Sequence, residues 1–412
     1  MENHQFSQLT LDVTKNLSKD EKKKYGIFIT PNSIIHSLFS KIVELFDNDI
    51  SSIKKILEPS CGTCEIINYC DKMMNDVEID GIEFNSKIHN AIKDLTFKNK
   101  VNIYNNDFIK YKTDKLYDLI IGNPPYFVCK KTDIPKEYEN YIHGRPNIFG
   151  LFILHSLTMI KPGGIIALII PKSFLNSLYY SKIRNYIKQT CTIISIDDYI
   201  KLNDFIDTDQ STFGLIIRKN ITGDNIEPKE CKYSMLFNDN YIFTTDSTML
   251  KEIFENATTL EKMGLKVRTG QVVWNEVKDE LTDDPDKTLL LYNTNISKHN
   301  KLEIKTFKND EKKQYINRDG RIDPILVVNR GNGNSAYKLN YTIVKEGPYL
   351  VENHLNEIYM PKKMSKDGLI KIYEKIMASF ENPKTKKFIE IFLGNNGLSK
   401  TELETIFPIY DI

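Results

Sequence analysis

A chain of 412 residues with 41% hydrophobic and 27% charged residues is that of a folded protein too long for one ordinary core, which predicts at least two domains. The longest apolar run, Ile165 to Ile170, is far too short to cross a bilayer. Met1-Glu2-Asn3-His4 lacks the basic and apolar regions of a signal peptide, so no membrane partner and a cytoplasmic location are expected. A net charge of +1 neither requires nor excludes a nucleic-acid partner. Six cysteines fit that compartment, and the lone C-x-x-C pair, Cys61 and Cys64, has no second pair at finger-like spacing, so no metal site is expected.

In chain order, the first clear element is a helix with Ile34, Ile35, Leu38, Phe39, Ile42, Val43 and Phe46 on one face. Thr30 is expected to cap it, with Pro31 at its first position. From about residue 53 to 220 short β-branched runs alternate with helical patterns, the signature of a parallel α/β sheet. The predicted strands are Ile53 to Leu57, Glu78 to Glu83, Val101 to Asn105, Tyr117 to Gly122, Gly164 to Ile170, Thr192 to Asp197 and Ser211 to Arg218. Phe149 to Ile160 and Ser173 to Gln189 read as amphipathic helices. The polar, turn-rich stretch from Asn220 to Glu230 marks a boundary, giving a first domain at 1–222 and a second at 223–412.

Four strand ends carry chemistry. Tyr117 to Gly122 runs into Asn123-Pro124-Pro125-Tyr126, and two consecutive prolines force the backbone out at the strand's carboxyl end, where open α/β sheets bind ligands. An asparagine amide and a rigid proline carbonyl there can accept both hydrogens of an amino group, with Tyr126 stacking on the ring that bears it. The loop Glu58-Pro59-Ser60-Cys61-Gly62 follows the first strand and brings backbone N–H groups to a ligand. Its single glycine disfavours a phosphate cradle. Glu83, followed by Phe84, ends the second strand with a carboxylate placed to accept two ribose hydroxyls. Asp107, before Phe108, ends the third; alone, such an acid reads as a helix cap, and in this series as a partner for a bound adenine.

The order of these motifs, over about residues 24 to 220, resembles the gamma class of N6-adenine DNA methyltransferases, which includes the modification enzymes of restriction systems. The resemblance implies a Rossmann-like class I methyltransferase sheet of seven strands, the last antiparallel, with S-adenosyl-L-methionine as cofactor. It implies that Phe28, Thr30 and Pro31 line the methionine end of that cofactor, and that the Glu58 to Gly62 loop follows. Glu83 would hold the ribose, Asp107 the adenine, with Phe84 and Phe108 also binding the cofactor, and Asn123 to Tyr126 the target amine. Cys64 departs from the second glycine more usual there. Phe205 would face the flipped base opposite Tyr126, while Phe213, in the apolar run to Ile217, is expected in the core.

The implied partner is double-stranded DNA read by a C-terminal α+β recognition domain, the two domains clamping the duplex, with a cognate restriction endonuclease as a further implied partner. The working compartment would be the nucleoid or, for a virus-borne enzyme, the host cell. Gln271, Asn329 and Arg330 lie in glycine-rich turns and carry side chains suited to base edges, although ordinary hairpin turns read equally well. Asp286 with Glu303 and Lys305 superficially matches a nuclease metal site and is read as coincidence. An RNA adenine or protein glutamine methyltransferase, or a DNA-binding module with a dead pocket, remain the alternative readings.

Overall fold

The computed structural model describes residues 6–15, 17–18, 21, 30–144, 146–199, 212–221, 231–297, 299–331, 337–393 and 397–410. The chain divides into two compact units, Met1–Ser247 and Thr248–Ile412.

The first unit opens with α1 (Gln8–Lys15) and α2 (Asn32–Leu45). It continues through β1 (Lys55–Glu58), α3 (Glu65–Met73), β2 (Glu78–Glu83), α4 (Ser86–Ile92), β3 (Lys100–Asn105) and β4 (Tyr117–Gly122). Then come α5 (Ile148–Met159), β5 (Ile160–Pro171), α6 (Ser181–Thr190), β6 (Cys191–Asp198) and β7 (Thr212–Lys219). The seven strands form one sheet in the order β3-β2-β1-β4-β5-β7-β6. β1, β2, β3, β4 and β5 pair in parallel, and β7 runs antiparallel between β5 and β6. This is the sheet implied by the resemblance.

Strands buried on both faces read as unbroken apolar runs, and each face here has its own core. Ile120, Ile166, Leu168 and Ile170 face a core completed by Phe149, Leu151, Ile183 and Ile187 of α5 and α6. Leu119, Ile121, Ile165, Ala167 and Ile169 face the other, with Ile34, Leu38 and Ile42 of α2 and Ile66, Ile67 and Cys70 of α3. Phe213 is fully buried in the first of these cores, as its place in an apolar strand predicts.

Two local expectations are corrected. Thr30 does not cap α2: Pro31 holds the cap position, in extended conformation and without a side-chain hydrogen bond, and the Thr30 hydroxyl is used elsewhere. The helix expected over Ser173 to Gln189 is regular only from Ser181; before it lie 3-10 turns at Lys172–Leu175 and Leu178–Tyr180. Buried Arg184 supplies the reason. Its Nη1 donates to the carbonyls of Phe174 and Ser177, both at 2.8 Å, and its Nη2 to that of Asn176 at 3.3 Å, satisfying groups that a continuous helix would have paired itself. Arg184 Nε also donates to the Tyr241 carbonyl at 2.5 Å. Tyr241 belongs to the hairpin of β8 (Ser234–Phe237) and β9 (Asn240–Phe243), so the first unit extends past residue 222 to Ser247.

The second unit begins within α7 (Ser247–Phe254), at Thr248, and contains two four-stranded sheets. β10 (Lys266–Thr269), β14 (Ile325–Asn329), β15 (Tyr341–Val344) and β17 (Leu355–Tyr359) form an antiparallel sheet ordered β10-β17-β14-β15. β11 (Leu281–Thr282), β12 (Thr288–Leu291), β13 (Tyr315–Ile316) and β16 (Tyr349–Val351) form the other, in which β12 and β16 are parallel. Helices α8 (Lys366–Phe380), α9 (Pro383–Phe392) and α10 (Lys400–Thr405) follow, so the unit is α+β as expected. Among the described residues no helix is long and apolar enough to cross a membrane.

Candidate active site

The strand order reverses at β1, which has β2 on one side and β4 on the other, and a crevice at the carboxyl end of such a switch point is where an open α/β sheet binds ligands. A cavity of about 690 Å³ lies there, within the range of small-molecule sites. It is lined by Thr30, the whole Glu58 to Gly62 loop, Glu83, Phe84, Asp107, Phe108 and Asn123. Residues drawn from four strand ends and the segment before α2 are thus brought to one place. Phe28 and Phe205 lie outside the described residues.

The two loops meet because Gly122 lets them. A Cβ at Gly122 would stand 3.0 Å from Pro59 Cδ, so a side chain there would push the β1 loop off the end of β4. Ser60 Oγ closes the contact by donating to the Asn123 carbonyl at 3.0 Å.

The Asn123 side chain is held at both ends. Its Nδ2 donates to Thr30 Oγ1 at 3.0 Å, and its Oδ1 accepts from the Tyr126 hydroxyl, which also donates to the Ile169 carbonyl at 2.8 Å. This fixes which end of the amide is the acceptor. The same hydroxyl holds the Tyr126 ring inward. The ring is buried, edge-on to Phe149 with centroids 6.2 Å apart, and the cavity lining passes through Pro125 and Phe127 instead. A buried tyrosine hydroxyl must find a partner, and the two oxygens it finds draw the ring inward.

The carboxylates show what the cavity is built to hold. Glu83 Oε2 accepts from Gly62 N at 2.9 Å and Oε1 from Asn85 N at 2.6 Å, which locks the β1 loop to the end of β2. Burial nevertheless pushes the Glu83 carboxyl up to about 7, against the opposing pull of those backbone bonds. Gly62, at φ +49°, has open space where a Cβ would be, so the backbone there can approach a ligand closely. Glu58 is fully buried and its carboxyl is raised well above the usual range by desolvation, reinforced by the neighbouring Cys64, Glu83 and Glu65. Glu58 Oε2 has no hydrogen-bond partner.

At the far end, Asp107 Oδ1 accepts from Ile109 N at 3.1 Å, capping a 3-10 turn, and Oδ2 lies 3.5 Å from Lys110 Nζ. The cap reading of Asp107 therefore holds alongside its position on the cavity wall. Phe84 is 58% exposed, an open aromatic face at the cavity. Cys64, where a glycine is usual, adopts φ +67° with its thiol buried, and Cys61 and Cys64 are both free.

Sequence reasoning missed much of the lining, including Val13, Thr14 and Leu17 around α1, Thr132 to Pro135 beyond the double proline, and Ile148 and Phe152 of α5. Only Ser7-x-x-Thr10, whose serine caps the start of α1 at 3.2 Å, offered a local signal for the first.

In the second unit Gln271 is exposed. Asn329 is not available to a base edge: it is fully buried, its Nδ2 donates to the Lys338 carbonyl at 2.9 Å, and its Oδ1 accepts from Tyr337 Oη at 3.1 Å and Asn340 N at 2.8 Å. Its polarity serves the β14 to β15 turn. Arg330 is half-buried, with Nη1 donating to the Asn353 carbonyl at 2.8 Å.

Residues 22–205 match the Eco57I restriction-modification methylase family. Modification methylase CviBIII of Paramecium bursaria Chlorella virus NC1A is 28% identical over 417 aligned positions, covering 98% of this chain and 99% of that protein. Type II methyltransferase M.CvrRI of Paramecium bursaria Chlorella virus XZ-6E is 29% identical, again covering 98% and 99%. The tRNA1(Val) (adenine(37)-N6)-methyltransferase of Aliivibrio fischeri is 29% identical over 128 positions, 30% of this chain and 54% of that protein. The sheet order, the cavity at its switch point and Asn123 thus lie within or beside the segment, residues 22–205, that is similar to the Eco57I restriction-modification methylase family, and the likeness to the two viral modification methylases runs the length of the chain.

Proposed function

We propose that the protein is a site-specific DNA methyltransferase that moves the methyl group of S-adenosyl-L-methionine to the N6 amino group of adenine in double-stranded DNA. The observation that carries this reading is the Asn123 amide, oriented by Thr30 and Tyr126 beside a cavity that also holds Glu58 and Glu83.

The residues fit that cofactor. Glu83 offers a carboxylate to ribose hydroxyls and Phe84 an exposed ring to a base, both on the cavity wall. When bound, S-adenosyl-L-methionine supplies an activated methyl group. The Asn123 side-chain oxygen and the Pro124 carbonyl accept the two hydrogens of the amine, leaving the nitrogen lone pair free. Those acceptors also stabilise the positive charge that develops on nitrogen. A base stacked in a duplex cannot reach this cavity, so the adenine must be flipped out.

Duplex DNA is favoured over RNA by the second unit. The likeness to the two viral methylases runs through both units, whereas that to the tRNA enzyme is confined to 128 positions. A glutamine substrate would leave the second unit without a ligand to recognise. A cognate restriction endonuclease is part of the proposal, from the family's name.

The test is incubation with labelled S-adenosyl-L-methionine and separate pools of duplex DNA, RNA and release factor, followed by nucleoside analysis. N6-methyladenine in the DNA pool is the expected product, and it should vanish with Asn123→Ala while cofactor and DNA binding persist. Label confined to RNA or protein, or found on cytosine, would overturn the substrate assignment.

A further inference from the structure

The helix before the recognised motifs is held at the cofactor loop by one carboxylate. Glu65 is the first residue of α3, immediately after that loop. Its Oε1 accepts from Ser7 N at 3.1 Å, from Ser7 Oγ at 2.6 Å and from the Thr10 hydroxyl. Thr10 Oγ1 also lies 2.6 Å from Thr63 Oγ1, and Thr10 is completely buried. From this anchorage the other end of the helix reaches the cavity, where Val13, Thr14 and Leu17 form part of the wall.

Resting on the assignment of that cavity to S-adenosyl-L-methionine, we propose that Glu65 is a positioning residue that latches α1 over the cofactor, so that the latch sets how tightly and how long the cofactor is held. Eight residues are too few for a helix to persist by itself in water, where about 12 to 15 are needed, so α1 depends on tertiary contacts. Its polar contacts converge on Glu65 and Thr63, within or next to the loop that lines the cavity. Its apolar contribution is modest, with Leu9 only partly buried at the edge of a core. A segment tied down by a few hydrogen bonds at a site's mouth opens more readily than the sheet beneath it. Every opening of α1 removes the wall made by Val13, Thr14 and Leu17.

Glu65 also lines the cavity whereas Ser7 and Thr10 do not, so the Ser7→Ala/Thr10→Val variant separates the latch from any direct contact of Glu65 with the cofactor. In the full chain, Glu65→Ala and the double variant Ser7→Ala/Thr10→Val should both speed dissociation of S-adenosylhomocysteine and weaken its binding by about tenfold, the effect of losing hydrogen bonds to a charged group. KM for S-adenosyl-L-methionine should rise likewise, while kcat at saturating cofactor and KM for DNA stay within about twofold. Glu65→Gln, which keeps an acceptor oxygen at the same place, should restore most of the affinity. Hydrogen exchange in the ligand-free protein supplies an arm that does not depend on the cofactor: amides of residues 8–15 should exchange faster in Glu65→Ala, with the sheet unchanged. Unaltered exchange there, or unaltered affinity and dissociation in both latch variants of a protein that does bind S-adenosylhomocysteine, overturns the latch. A wild-type chain that fails to bind S-adenosylhomocysteine, with α1 exchange still accelerated by Glu65→Ala, overturns the cofactor assignment and with it the cofactor-holding role of α1, leaving only a structural tie.

Discussion

Thr30 and Asn123 are 93 positions apart in the chain, and the hydroxyl of the first receives the side-chain amide of the second at 3.0 Å. Because the amide nitrogen is tied to Thr30, the oxygen is the end left to face a donor. Thr30→Val keeps the shape and removes the acceptor, so Asn123 should rotate more freely. A fall in kcat of about fivefold to tenfold is expected, the effect of losing about 1 kcal/mol of orienting hydrogen bond. Binding of S-adenosylhomocysteine should change little. If its affinity drops while kcat holds, Thr30 contacts the cofactor directly.

Tyr126 should act through its hydroxyl. Tyr126→Phe retains the ring against Phe149 but releases Asn123 Oδ1 and the Ile169 carbonyl. Turnover should drop by about tenfold at unchanged DNA affinity. Single-turnover kinetics check this, with 2-aminopurine at the target position to report flipping. Normal turnover in this variant, together with lost flipping in Tyr126→Ala, would return Tyr126 to the stacking role expected from sequence.

Glu83 makes nucleoside binding depend on pH. Burial holds its carboxyl at about 7 in the free protein, and ribose hydroxyls donate to the ionised form. Binding therefore requires release of a proton below about 7, where affinity should fall by about tenfold per pH unit, and should be level above about 8. 5′-Methylthioadenosine is the suitable probe because it carries no group that titrates near 7. The folded state holds this proton more tightly than the unfolded chain, so the same group costs the unliganded protein stability as pH rises from about 4.5 through about 7. A flat calorimetric affinity from pH 6 to 8 would remove Glu83 from the ribose.

Phe213→Ala removes a fully buried ring between β5 and β6, and should cost about 3 to 5 kcal/mol of stability. Chemical denaturation measures this. Turnover of the fraction that remains folded should match wild type, because the ring faces a core and not the cavity.

In the second unit, Gln271 and Arg330 should separate. Gln271 is exposed, and Gln271→Ala should relax sequence preference or weaken DNA binding without lowering the melting temperature. Arg330 braces the Asn353 carbonyl, so Arg330→Ala should lower the melting temperature first. Titrations of DNA at several salt concentrations decide whether it also meets a phosphate; a shallower salt slope in a folded Arg330→Ala protein would show that it does.

What could be read in the sequence was whatever one strand and its own turn determine. Two prolines after Gly122 end β4 there, and Glu58, Glu83 and Asp107 stand at or just beyond the ends of neighbouring parallel strands. Parallel strands connected by helices place such ends on one rim, so a parallel α/β sheet and its rim residues followed from local periodicity and turn chemistry, whereas the seven-stranded form with its antiparallel strand came with the family resemblance. The tertiary structure decided which partner each polar group found. Thr30 is a good helix cap by its local sequence and is instead the acceptor for Asn123; Tyr126 turns inward to Ile169 rather than out to a ring; Asn329 is consumed by its own turn; α1 closes on Glu65 across 55 to 58 positions. A hydroxyl or amide has the same hydrogen-bonding capacity wherever it stands in the chain. Its partner is chosen by which groups are buried beside it, and burial is settled only when distant segments pack.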